Sequence, residues 1–147
     1  MEKLVLLAGI VLFVVAAYGD IKIFKIPNKL VIAVAVLGVL RLIIIGDPSF
    51  AIHTVAVTTI VFIVVFLMFW RGLVGGGDAK LITAAALLVG YNSLLNFLLV
   101  MSLCGGLVSL VVLVMHWVSS QPKAVPYGAA VAGGAIVTLL FQPSLLG

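Results

Sequence analysis

The chain has 147 residues, 65% of them apolar and only 8% charged, with a mean hydropathy of +1.47, which excludes a water-soluble fold with a polar surface. At roughly 20 apolar residues per crossing there is room for about six bilayer spans and for no separate soluble domain. The net charge of +4 comes from Lys and Arg in short loops rather than from a basic patch, so the bilayer and not nucleic acid is the expected partner, and the single cysteine, Cys104, supplies neither an internal disulfide nor a Cys-x-x-Cys metal site.

Apolar runs fall at about residues 4–18, 30–45, 50–70, 79–90, 94–118 and 125–141, separated by charge, Gly, Pro or Asn. They predict an all-α, polytopic membrane protein of about six transmembrane helices, one integral membrane domain over residues 1–147. The first run is read as a span rather than a secretory signal. Glu2 and Lys3 cancel ahead of it, and no Ala-x-Ala site follows it. The fourth run is short, about 18 Å at helical rise against a hydrocarbon core near 30 Å. Either the turn at Tyr91, Asn92 and Ser93 dips into the membrane or the helix starts earlier than the apolar run.

Alternation from span to span groups the loops at 19–29, 71–78 and 119–124 on one face. Lys22, Lys25, Lys29, Arg71, Lys80 and Lys123 lie in or beside them, against Lys3 and Arg41 on the other face, and this asymmetry predicts that the richer face is cytoplasmic. Trp70, Trp117, Tyr18 and Tyr127 fall near the cytoplasmic ends of their spans, as an aromatic belt requires.

Of the four acidic residues, this topology sends Glu2 and Asp47 outward and brings Asp20 and Asp78 to the cytoplasmic face, each against a span. Two carboxylates within hydrogen-bond reach in a low-dielectric site do not both ionise. One keeps its proton and the pair titrates as a unit. The ionised member takes a proton from a water that attacks a carbonyl, and the protonated member polarises that carbonyl, as in aspartic proteases. No other nucleophile competes: Cys104 is mid-span and His53 is on the opposite face, while His116, near the cytoplasmic end of the fifth span, is a candidate neighbour of the site.

Three local patterns surround the pair. Gly75-Gly76-Gly77-Asp78-Ala79-Lys80 fits Gly-x-Gly-Asp, whose glycines let an extended substrate approach the backbone beside the acid; alone, it also reads as a flexible connector with Asp78 as an N-cap. Asp20 stands ahead of Ile26-Pro27-Asn28, which alone is a basic loop entering the second span, and Val125-Pro126-Tyr127-Gly128 alone is a loop-to-helix entry.

Taken in order along the chain, the three resemble the prepilin peptidases, a family of Gly-x-Gly-Asp membrane aspartyl proteases. The resemblance implies Asp20 and Asp78 as the catalytic pair. It also implies site-shaping roles for Gly75, Gly77, Lys80, Pro27, Asn28, Pro126, Tyr127 and Gly128, and a cell inner-membrane location. Pro126-Tyr127-Gly128 resembles the short branch that serves tight-adherence, Flp-type pili. Bifunctional members add an amino-terminal part with paired Cys-x-x-Cys motifs and methylate the new pilin terminus. This sequence has one cysteine, so the resemblance implies cleavage alone, with no cofactor and no metal. The implied partner is a prepilin with a short basic leader, cut after a Gly and followed by an apolar helix. A small transporter with Asp20 and Asp78 as a proton or cation relay is the rival reading. A third is an assembly factor packing through Gly105-Gly106 and Gly133-Gly134.

Overall fold

The computed structural model describes residues 1–23, 26–118 and 127–146. Among the described residues the chain is all-helical: α1 (Glu2–Ile23), α2 (Asn28–Ile45), α3 (Pro48–Trp70), α4 (Gly76–Val89), α5 (Tyr91–Val118), α6 (Tyr127–Leu140) and a single turn, α7 (Pro143–Leu146). Helices α1, α2, α3 and α5 are long and apolar enough to cross a membrane, and α6 is a shorter apolar helix. The chain is a polytopic membrane protein. In the spanning windows of α1, α2, α3 and α5 only 33, 28, 22 and 6% of residues are buried within the protein, so most of their apolar surface faces hydrocarbon.

Polar and turn-forming residues set the starts of the first five helices, which therefore precede the apolar runs by two or three positions. Asp47 caps α3 by accepting the Ser49 N–H at 2.9 Å, with Pro48 opening the helix. Pro27 is the N-cap of α2. At the end of α1 the helix runs on to Ile23, so Asp20 and Lys22 lie within it rather than in a loop. Gly19 alone, at about 1 kcal/mol relative to Ala, does not stop a helix.

Helix α4 is the centre of the bundle. It packs against α2, α3, α5 and α6, and Leu81, Ala85, Ala86 and Leu88 are fully buried, the alanines allowing the neighbouring helices to come close. The short fourth element does begin earlier than its apolar run, at Gly76, yet its 14 residues reach only about 21 Å. It meets α5 through Gly90 alone, whose φ of 81° suits glycine and where a Cβ would stand 2.8 Å from the Phe50 ring.

The C-terminal carbonyls of α4 therefore end inside the protein, where unpaired acceptors are costly. Arg41 meets them: its Nη1 donates to the Leu88 and Val89 carbonyls at 2.6 and 2.7 Å. Its Nη2 pairs with Glu2 at 3.0 Å, and Gln142 Nε2 donates to the Val89 carbonyl at 2.7 Å. Arg41, counted above as a marker of topology, is thus also the centre of a largely buried polar cluster.

Candidate active site

At the opposite end of α4 the three sequence patterns come together. Asp20, 6% exposed, projects from the last turns of α1 to the start of α6, where the Ala129 N–H donates to its Oδ2 at 3.0 Å. Ala129 lies in the first turn of α6, whose amides have no partner within the helix and whose dipole is positive. A negative charge on Asp20 is met there by an oriented donor.

Gly128 makes this contact possible. A Cβ at that position would stand 2.9 Å from Asp20 Cγ and 2.7 Å from Ile26 Cδ1, closer than side chains pack. Ile26 also approaches Gly77, where a Cβ would lie 3.6 Å from its own Cβ. The isoleucine of the Ile-Pro-Asn pattern is therefore wedged between the glycine before Asp78 and the glycine against Asp20.

Asp78 lies in the first turn of α4, outside the four long spans. It is not the N-cap, which is Gly75 in an extended conformation, and its carboxylate folds back so that a Cβ on Gly75 would stand 2.9 Å from Oδ2. Its carboxyl is pushed up to about 6, first by burial and second by the negative charge of Asp20. The two aspartates thus sense each other electrostatically. Among the described residues Asp78 has no hydrogen-bond partner, and it lines a groove of about 610 Å³ that Tyr127 also lines and Asp20 does not.

The remaining sequence candidates frame the pair. Lys80 Nζ donates to Asn28 Oδ1 at 3.3 Å, an exposed contact that ties the start of α4 to the start of α2. Pro27 fixes the entry to α2, and Tyr127 opens α6. Pro126 and the side chain of His116 lie outside the described residues, as do Lys25 and Lys123. Among the described residues no cluster of three or more His, Cys, Asp or Glu is placed to hold a metal.

The sequence pattern of the type IV leader peptidase family matches residues 7–110, well over half of the chain. The chain belongs to the type IV leader peptidase family. The match takes in Asp20 and Asp78 and stops before α6, so the helix that donates to Asp20 lies beyond it. No curated protein and no solved structure matches the chain. The two acids have unequal surroundings, Asp20 held by the Ala129 amide and Asp78 open to a groove.

Sequence reasoning missed three contributors. The Ala129 amide belongs to the backbone and carries no side-chain signal beyond the helix entry at 125–128. Ile26 stood inside a quoted pattern whose Pro and Asn drew the attention. The groove between α3 and α5 is made mostly of apolar and small residues, some buried and some exposed, that one by one carry no signal.

Proposed function

We propose that the chain is an aspartyl endopeptidase that removes the short basic leader from prepilins at the cytoplasmic face of the inner membrane, with Asp20 and Asp78 as its catalytic pair. The carrying observation is the unequal pair itself, in a member of a peptidase family. Asp20 accepts an amide hydrogen bond at the start of α6, and Asp78 has its carboxyl pushed up to about 6.

On this reading Asp20, with the Ala129 amide beside it, takes the proton from the attacking water. Asp78 holds the proton that polarises the scissile carbonyl, and the new C–O bond gives a tetrahedral intermediate. Collapse breaks the C–N bond, one carboxyl supplies the proton that the leaving amine needs, and the pair returns to its singly protonated state. Flp-type pilins are the substrates that Pro126-Tyr127-Gly128 suggests. Cleavage is the activity that these residues support.

Purified protein in detergent, incubated with a prepilin, is expected to yield a shortened product. Asp20→Asn and Asp78→Asn each stop turnover, and the double variant is no worse than either single one, because the two groups act as a unit. Asp47→Asn cleaves normally. Substantial cleavage by folded Asp20→Asn or Asp78→Asn protein would reject the assignment, and proton or ion flux without cleavage by the wild type would favour a relay.

A further inference from the structure

The two acids do not set their own separation. Asp20 comes from α1 and Asp78 from α4, and both helices pack on α6. Among the described residues Asp20 is held by the Ala129 amide and Asp78 by no hydrogen bond, so no bond joins the pair. Their spacing has to be fixed by packing, and it matters, because charge–charge energies change steeply with distance where the dielectric is low.

Ile26 lies between the supports of the two acids. A Cβ on Gly128 would stand 2.9 Å from Asp20 Cγ and 2.7 Å from Ile26 Cδ1, so the carboxyl and the tip of the isoleucine meet the same glycine. At its other end the Ile26 Cβ is 3.6 Å from where a Cβ on Gly77 would be, and Gly77 is the residue before Asp78. The side chain thus reaches from the backbone that carries one acid to the backbone that receives the other.

Two local constraints make it a stiff spacer. Pro27 follows, and its ring keeps the preceding residue out of the helical region; Ile26 accordingly lies between α1 and α2, in neither helix. The branch at Cβ leaves few χ1 rotamers. Ile26 is partly buried and packs against the core, which holds it in place.

We propose that Ile26 is a positioning residue whose side chain, wedged between Gly77 and Gly128, sets the spacing of Asp20 and Asp78. Its effect on rate rests on the reading of the chain as a prepilin endopeptidase; the spacing itself does not. Lys22, Lys29, Arg71 and Lys80, the cations of the surrounding elements, are exposed, and Asp20 is the charge that acts on Asp78, so a change in spacing is read at Asp78.

The test uses the full chain in liposomes with a prepilin. Ile26→Ala empties the space between the two glycines and is expected to lower kcat about 10²-fold, the loss that a shift of about 1 Å at a reacting group brings, with KM within about twofold of wild type. Ile26→Val keeps the branch and the contact with Gly77, loses only Cδ1, and should stay within about threefold of wild type. Val34→Ala empties a space on α2, where Val34 is fully buried, and should lower the thermal midpoint without lowering kcat. A second readout needs no turnover. With its carboxyl pushed up to about 6, Asp78 lowers stability when it ionises at neutral pH, and Asp78→Asn removes that loss. The resulting rise in midpoint should shrink in an Ile26→Ala background, because water in the vacated space hydrates Asp78 and screens Asp20, and should persist in a Val34→Ala background. Wild-type kcat in Ile26→Ala, equal losses of kcat in Ile26→Ala and Val34→Ala, or an undiminished rise would each overturn the inference. Should Ile26→Ala fail to fold, Ile26→Val is read in its place, with a smaller decrease in the rise expected and none overturning the inference. A diminished rise in a protein whose wild type cleaves no prepilin would keep the spacer and reject the peptidase reading.

Discussion

The two ends of α4 face the same problem and solve it differently. At Val89 the helix stops inside the protein, and Arg41, Gln142 and Glu2 close its end with hydrogen bonds of 2.6 to 3.1 Å. At Gly75 it starts with an N-cap that has no side chain to donate or accept, and Asp78 is left beside a groove. At one end the helix carbonyls are met by side-chain donors, although Gln142 Oε1 finds no partner among the described residues. The other keeps an acid under electrostatic strain, which is how sites that must hold a proton are built.

Arg41→Ala is the largest test of this contrast. It leaves Glu2 without its partner and the Leu88 carbonyl without its side-chain donor, while Gln142 still meets the Val89 carbonyl, at a cost of about 3 kcal/mol, read as a lower thermal midpoint in detergent. The protein that remains folded should cleave at its usual kcat. An unchanged midpoint would mean that the closed end is not what holds α4.

Gly128→Ala probes the other end. The added methyl drives against Asp20 and Ile26, and a displacement of about 1 Å at a reacting group costs on the order of 10²-fold in rate. Activity should fall by about that factor with the thermal midpoint retained. Gly19→Ala, where a Cβ would meet nothing within 4 Å, should leave cleavage as it is.

A pH series on stability isolates Asp78. With its folded-state carboxyl at about 6 rather than the ordinary 3.8, the folded protein binds this proton more tightly than the unfolded chain does. That stabilisation is present at low pH and is lost as pH rises through about 6. Asp78→Asn should therefore have a higher midpoint than wild type near neutral pH, and the gap should close at acid pH. In an Asp20→Asn background the gap should shrink without vanishing, since burial is the larger cause.

The smallest effect belongs to the exposed Lys80–Asn28 contact. Asn28→Ala should cost about 0.5 kcal/mol or less, as exposed polar contacts do, with cleavage nearly unchanged. A loss of several-fold in kcat would promote this contact to a positioning role.

The open end was the more legible of the two in the sequence. With so few acids in an apolar chain, topology alone left Asp20 and Asp78 as the pair able to meet, and Gly and Pro marked the turns around them. The closed end was written in carbonyl groups, which every residue carries. Arg41 did give a sign there, as a charge inside an apolar run that needs a partner, but a count of charges per face treats it as a marker of orientation. Asp20 was expected in a loop because charge usually ends a span; the helix continues because no proline intervenes before Pro27.

The cluster at Arg41 also bears on how the chain is assembled. Glu2 and Arg41 lie on α1 and α2, made before the carbonyls of Leu88 and Val89, which follow Arg41 by 47 and 48 positions. An arginine entering the bilayer alone costs roughly 2.5–3.5 kcal/mol at a helix centre. Glu2 pairs with it across α1 and α2, so the charge is partly offset within these two helices. The guanidinium still has donors to spare, and α4, too short to reach across by itself, sets its last carbonyls on them, so the same charge is the dock for the helix that carries Asp78.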